Sequence, residues 1–92
     1  MEKPMPYTIK ITADVIDPND PDYIATNDAV LEVSEQFGCK RRMEHDGHLE
    51  VGLFTFATLE DVNTFRNHPT HRAAMEKVGR FYKSMRVERS WR

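Results

Sequence analysis

The chain has 92 residues, with 13 basic and 15 acidic side chains and a formal net charge of -2 at pH 7. This balance provides no general electrostatic attraction to nucleic acid or anionic lipid, and no apolar run approaches the roughly 20 residues of a membrane span. The start of the chain lacks a signal-peptide pattern and there is a single cysteine, Cys39, which excludes an internal disulfide, so a cytoplasmic protein is expected.

The first predicted elements are a strand and a helix. Residues 7–16 alternate in polarity, which predicts a half-buried strand, and residues 1–6 before it are expected to be flexible. Residues 21–37 show a helical period, and Gly38 is a suitable C-terminal cap for that helix. The inward stripe of the helix is predicted to contain Tyr23, Ile24, Val30, Leu31 and Phe37.

Two further strands, about 39–45 and 48–57, form a predicted hairpin. The Asp-Gly pair at 46–47 between them is typical of a two-residue type I′ turn, in which both positions need a positive φ. This register places two pairs opposite each other, namely His45 with His48 and Cys39 with Phe54. We expect the histidines to be a solvated surface feature, with a weak metal grip as the alternative, and Cys39 to be a buried small side chain.

The second hairpin strand has apolar side chains on both faces. Two helices can cover one face, so the other requires a second layer, most simply the sheet of a second copy. A chain of this length also buries only roughly 60 to 65% of its unfolded surface, and self-association is a common supplement. A homodimer is therefore expected.

The remaining residues predict an interrupted helix. Thr58 is expected as the N-cap of a segment that Pro69 interrupts. Thr70 is expected to cap a second segment, which Gly79 ends. The inward positions of that second segment follow the i, i+3, i+4, i+7 pattern and are His71, Ala74, Met75 and Val78.

Residues 81–91 alternate and form the fourth predicted strand. Lys83 and Arg89 fall on its apolar side, which indicates an edge of the sheet. The order βαββαβ predicts one α+β domain over 1–92, with a ferredoxin-like fold and a four-stranded antiparallel sheet. Many unrelated functions share that fold, so topology alone decides nothing about function.

Particular stretches carry a more specific resemblance. The Phe-Gly-Cys step at 37–39 leads into a strand, and residues 53–71 run from Leu-Phe-Thr-Phe to Asn-His-Pro-Thr-His. Together with 72–74 and 81–89, these residues resemble the third strand, second helix and last strand of the antibiotic biosynthesis monooxygenase group, whose members are dimeric α+β barrels. About fifty-five residues carry the match.

The resemblance implies a function. Members of the group have a substrate pocket between sheet and helices, and several oxidise aromatic polyketides or quinols with oxygen and without metal or flavin. We therefore expect a cofactor-independent monooxygenase for a small aromatic, polyketide-like or quinol substrate. The Asn, Trp and Tyr of the polyketide-oxidising members correspond here to Asp61, Phe65 and His71, and none of the three matches. The Trp and axial His of the heme-degrading branch correspond to Phe65 and Met75.

His71 is the main catalytic candidate. An imidazole on an apolar helical face can accept a proton near neutral pH or bond a phenol; the alternative is a histidine that only bonds a nearby carbonyl. Phe65, Tyr82, Asn27 and His68 are expected to contact the substrate. His68 and His71 form an H-x-x-H pair without a third ligand nearby in sequence, so no metal is expected. The resemblance implies that no cofactor is needed.

Two other functions stay open at this point. The missing Asn, Trp and Tyr favour a non-catalytic dimeric domain that binds a small ligand or acts in stress, and a heme-binding relative is the other alternative. Recognition of RNA by the third strand is not expected, because Val51 and Leu53 stand where base-stacking aromatics would be needed.

Overall fold

The computed structural model describes residues 6–91, so the predicted flexible segment 1–6 lies, apart from Pro6, outside the described residues. The elements are β1 (Tyr7–Val15), α1 (Pro21–Gln36), β2 (Lys40–Asp46), β3 (Leu49–Phe56), α2 (Leu59–Asn67), α3 (Pro69–Glu76), α4 (Val78–Phe81) and β4 (Tyr82–Arg89). The strands form one antiparallel sheet in the order β2-β3-β1-β4. The predicted α+β, ferredoxin-like class is confirmed, and across 6–91 no helix is long and apolar enough to cross a membrane.

Helix α1 begins and ends close to its predicted limits. The side chain of Asp20 accepts a hydrogen bond from the Asp22 N–H at 2.9 Å, and Pro21 occupies the first helical position, where a missing N–H is harmless. Gly38 follows the helix with a φ of 71°. The predicted stripe is wrong at Ile24, which is 44% exposed.

The hairpin turn is shifted by one residue from its predicted place. The β2–β3 ladder closes on Asp46 opposite Leu49, so the two turn residues are Gly47 and His48. Gly47 has a φ of 60°, whereas no non-glycine residue between 6 and 91 has a positive φ. One positive φ at the first turn position is the pattern of a type II′ turn, not of type I′.

The shift changes every cross-strand pair of the hairpin. His45 lies opposite Glu50, not His48, and Arg41 lies opposite Phe54, so both predicted pairs are wrong. His48 instead places its Nδ1 at 2.7 Å from the Val15 carbonyl oxygen. Cys39 precedes β2 and is buried, as predicted.

The core lies between the helices and one face of the sheet. Alternate residues of β3 point to this face, and Phe54 and Phe56 are both buried. Helix α1 contributes Val33, and α2 contributes Val62 and Phe65. The sheet's other face carries the exposed Leu49 and Leu53.

The interrupted helix has a different cap and a different end from those predicted. Thr58 caps α2 as expected, accepting a hydrogen bond from the Asp61 N–H at 3.0 Å. The cap of α3, however, is His68, whose Nδ1 accepts from the Thr70 N–H at 3.2 Å. Helix α3 ends at Glu76, and Gly79 lies inside the short helix α4.

Strand β4 is an edge strand, as predicted, but its alternation is broken. Its pairing with β1 shifts between Asp14 and Val15, so that Ser84 pairs with Asp14 and Tyr82 with Val15. Lys83 is the extra residue of this bulge and is exposed. The bulge reverses the predicted sides of these two residues, because it moves Lys83 outward and Tyr82 to the helix-facing side. Met85, Val87 and Arg89 keep their predicted side.

Candidate functional site

A cavity of about 850 Å³ lies between the sheet and the helices. Its volume falls within the roughly 300–1,000 Å³ typical of small-molecule sites. Apolar and aromatic side chains form much of its wall, with polar groups interspersed. The lining includes Tyr23, Asn27, Glu50, Gly52, Phe54, Phe65, His71, Phe81 and Tyr82, together with the basic Arg66, Arg72 and Arg89.

His71 is the first polar group of the cavity wall. It lies in the first turn of α3. The His68 cap and Pro69 fix this position, because the helix begins there. The Phe65 ring packs edge-on against the imidazole, with 4.8 Å between ring centroids. The Nδ1 atom is buried and has no hydrogen-bond partner among the residues described.

The protonation of His71 follows from this environment. Burial lowers the pKa of His71 below its ordinary value, because desolvation disfavours the imidazolium. The nearby Arg66 backbone partly opposes the shift without forming a hydrogen bond to Nδ1, whereas the charge of Arg66 adds to it. A neutral imidazole with a free ring nitrogen can accept a proton or a hydrogen bond.

Glu50 is the centre of a second polar group. It is only 3% exposed, and the Tyr23 hydroxyl donates a hydrogen bond to its Oε1. The His45 Nε2 lies 3.2 Å from the same oxygen, where a protonated Nε2 donates. The Tyr82 hydroxyl donates to Oε2 at 3.2 Å. We call Tyr23, His45, Glu50 and Tyr82 the Glu50 cluster.

Three different elements bring donors to this carboxylate. Tyr23 comes from α1, His45 from the opposite position of the β2–β3 ladder and Tyr82 from the bulged start of β4. Burial, then the hydrogen bond and charge of Glu50, raises the pKa of Tyr23 well above its ordinary range. Burial, then the charge of Glu50, does the same to the pKa of Tyr82. Both phenols therefore stay protonated donors at neutral pH.

The structure brings four of the five predicted site residues to the cavity. Asn27, Phe65, His71 and Tyr82 all line it. His68 is not among the lining residues: its ring packs edge-on against Phe37 at 6.2 Å between centroids, and its Nδ1 caps α3. Its role is to start the helix that carries His71.

Glu50 and its partners Tyr23 and His45 were missing from the predicted site. The shifted hairpin register explains His45, since the predicted turn placed it against His48. A usable signal existed for Glu50, because it alternates with Gly52 and the core residue Phe54 along β3. A carboxylate on the buried face of a strand marks a candidate functional group.

Gly52 allows the side chains of Met43 and Phe54 to pack closely over its Cα at the cavity wall. A Cβ at this position would lie 2.8 Å from the Met43 Sδ and 2.9 Å from the Phe54 Cε2. Both distances are shorter than ordinary van der Waals contacts, so any larger residue would displace these side chains. For metal ions, residues 6–91 contain no group of three or more His, Cys, Asp or Glu side chains arranged to hold one.

Comparisons with known proteins support the fold. No model of a protein family matches the sequence, and no curated protein matches it. Among solved structures, PA3566 from Pseudomonas aeruginosa superposes with a TM-score of 0.79 at 12% identity, covering 100% of this chain and 98% of that one. A protein from Nitrosomonas europaea named "putative antibiotic biosynthesis monooxygenase" gives 0.74 at 11% identity, covering 94% and 97%.

A third similar structure is a dimeric ferredoxin-like protein of unknown function from Thermobifida fusca, with a TM-score of 0.70, 12% identity and coverage of 97% and 92%. At these identities the similarity shows the fold alone. The chain therefore has the ferredoxin-like fold of antibiotic biosynthesis monooxygenase-like proteins, as the resemblance in sequence implied.

Proposed function

We propose that the protein is an oxidoreductase, a cofactor-independent monooxygenase that binds a small aromatic, polyketide-like or quinol molecule in the cavity. The observation that carries this proposal is the buried, unpartnered Nδ1 of His71 on the cavity wall. A polar atom that lacks a partner in the protein is suited to meet one in a ligand. The name of the Nitrosomonas europaea neighbour supports the same class at the level of the fold.

The proposed reaction requires only one proton acceptor from the protein. His71 accepts a proton from an activated C–H or O–H group of the substrate, and the resulting electron-rich anion reacts with O₂. The substrate loses two hydrogen atoms; one oxygen atom becomes a new carbonyl and the other leaves as water with those hydrogens. The lowered pKa of His71 keeps the imidazole unprotonated and ready at neutral pH.

The remaining predicted residues have supporting roles in this proposal. Phe65 holds the imidazole by its edge-on contact and offers an apolar surface. Phe54 and Phe81 extend that surface for a flat ring. Asn27 gives a hydrogen bond to the substrate, and the Tyr82 hydroxyl oxygen accepts one, because its proton goes to Glu50. His68 acts only by placing the start of α3.

Oxygen uptake tests the proposal. Quinols and polyphenols are screened with an oxygen electrode, and labelled O₂ shows whether one oxygen atom enters the product. His71→Ala should lower turnover roughly 10²-fold or more, the usual loss for a general base. His48→Gln is the matched control, since His48 bonds the Val15 carbonyl and is not among the cavity-lining residues. Full activity in His71→Ala, or no oxygen consumption with any compound, would overturn the proposal.

A non-catalytic ligand-binding domain is the second candidate. The observation that favours it is the departure at Asp61, Phe65 and His71 from the Asn, Trp and Tyr of the polyketide-oxidising members. Binding of an aromatic compound in the cavity without oxygen consumption, and without chemical change of the compound, would select this function.

We also propose that the protein acts in the cytoplasm as a homodimer that pairs through the outer face of the sheet. The support is an apolar row on the central strand β3, formed by Leu49, Val51 and Leu53, of which Leu49 is 45% exposed. Leu53→Asp should yield a monomer in sedimentation velocity. Leu59→Asp on α2 is the control, because Leu59 is equally apolar and exposed but lies away from that face.

A further inference from the structure

The proposed oxygen chemistry leaves the Glu50 carboxylate unused, although Glu50 lines the cavity. A carboxylate has about four positions at which it can accept a hydrogen bond. Tyr23 and His45 occupy Oε1, and Tyr82 is the partner of Oε2. Among the described residues, one acceptor position on Oε2 is left.

The chemistry of the Glu50 cluster selects what can fill that position. Its tyrosine hydroxyls both donate to the carboxylate, and their raised pKa values keep them protonated. An additional partner of Oε2 must therefore donate a hydrogen bond. A ligand carboxylate would instead bring a second negative charge to a buried acceptor, which costs free energy in a medium of low dielectric constant.

Aromatic rings surround the same end of the cavity. The Tyr23 ring packs edge-on against Phe81 at 5.7 Å and against Tyr82 at 5.8 Å between centroids. These contacts fix both phenols, so the carboxylate is held in place before a ligand arrives. Tyr23, Phe81 and Tyr82 all line the cavity beside Glu50, which favours a ligand with a flat apolar body next to its polar group.

We infer that Glu50 is a recognition site for a hydrogen-bond-donating group, a hydroxyl or an ammonium, carried by a flat apolar ligand. This inference rests on the proposed use of the cavity for a small molecule. It does not depend on oxygen chemistry or on proton transfer to His71. It names a specificity for one end of the cavity: Glu50 accepts hydrogen-bond donors and disfavours a carboxylate beside it, whereas Arg66, Arg72 and Arg89 line the same cavity.

The test uses four naphthalene probes that carry a hydroxyl, aminomethyl, methyl or carboxylate group at the same ring carbon. Dissociation constants are measured by titration calorimetry on the full chain. The hydroxyl or aminomethyl probe should bind at least tenfold more tightly than the methyl probe, about 1.4 kcal/mol. The carboxylate probe should bind more weakly to the wild type than to Glu50→Gln. Which of the two donors binds more tightly identifies the group as a hydroxyl or an ammonium.

Variants connect the preference to Glu50. Glu50→Gln should abolish the tenfold preference, whereas Glu44→Gln should keep it, because Glu44 is exposed on the adjacent strand β2. Tyr82→Phe keeps the carboxylate and removes the donor to Oε2, so the preference should persist or grow. If Glu50→Gln fails to fold, two other measurements test whether the ligand binds at Glu50. They are the probe preference of Tyr82→Phe and the shifts of the Tyr23 ring signals in NMR spectra on adding naphthol.

Three results would overturn the inference: tighter binding of the carboxylate probe to the wild type than to Glu50→Gln, survival of the donor preference in Glu50→Gln, or no binding of any probe. The two proposals fail separately. A Glu50-dependent preference without oxygen uptake by any compound rejects the monooxygenase and keeps the recognition site. Oxygen uptake that depends on His71, with no influence of Glu50 on probe binding, keeps the monooxygenase and rejects the recognition site.

Discussion

His45 and Glu50 face each other across the β2–β3 ladder, with the His45 Nε2 at 3.2 Å from the Glu50 Oε1. The side chain of His45 is 44% exposed and that of Glu50 only 4%. The pair therefore joins a solvent-facing imidazole to a carboxylate at the cavity wall. It depends on the hairpin turn, because a turn displaced by one residue would place a different side chain opposite His45.

The turn gives the first prediction. Gly47→Ala should lower the free energy of unfolding by about 1 kcal/mol or more, because the φ of 60° strains any residue with a Cβ. Gly79→Ala is the matched control: that glycine lies in helix α4, has open space around its Cβ position, and should gain up to about 1 kcal/mol. Urea unfolding of both variants makes the comparison. Equal stabilities would contradict the assignment of Gly47 as the strained turn position.

The second prediction concerns the stability of His71→Phe. The buried Nδ1 without a partner costs free energy in the unliganded protein, and a phenyl ring of similar shape removes that cost. We expect the free energy of unfolding to rise by about 1 kcal/mol, while oxygen uptake is lost. Denaturant unfolding measured beside the activity assay checks both. A clear loss of stability would mean that His71 has a protein partner after all.

The third prediction is a pH dependence of stability. Since burial lowers the pKa of His71 from its ordinary 6.5, the unfolded chain takes up this proton at a higher pH than the folded chain does. The free energy of unfolding should therefore fall as the pH drops below about 6.5, and the loss is complete below the lowered pKa. His71→Phe removes this contribution, so the difference between wild type and variant from about pH 8 to about pH 5 isolates it. A difference that does not change with pH would refute the buried neutral imidazole.

The fourth prediction concerns alkaline solution. The pKa values of Tyr23 and Tyr82 are raised by burial first and by Glu50 next, so the folded protein keeps both protons above the ordinary 10.0. The unfolded chain releases them there, and stability should decrease as the pH rises above about 10. Tyr23→Phe should reduce that decrease. Phenolate absorbance followed together with circular dichroism should show Tyr23 and Tyr82 ionising only as the fold opens.

Part of the site was predictable because the helical repeat of the sequence after Pro69 is kept in the structure. His71, Ala74 and Val78 follow a helical repeat that is independent of where the helix is capped, so the unexpected cap at His68 did not move His71 from the cavity side. The four strands and the edge position of β4 likewise follow from alternation and charge.

The Glu50 cluster was not predictable in the same way, because it depends on register. A hairpin register is set by turn geometry, and Asp46-Gly47 and Gly47-His48 both offer a glycine that can adopt a positive φ. The choice between them changes the partner of His45 from His48 to Glu50. Contacts between α1, β2, β3 and β4 then complete the cluster, and such long-range contacts have no signature in a local sequence pattern.

The bulge in β4 decides whether a lysine or a tyrosine lies next to Glu50. A regular ladder would place Lys83, not Tyr82, opposite Val15 on the buried side. An ammonium beside Glu50 would form an ion pair and cancel the charge of that carboxylate. The extra residue leaves the lysine in solvent and gives the carboxylate a neutral phenol as its partner. One irregularity in an edge strand thus decides which of two neighbouring side chains stands beside Glu50.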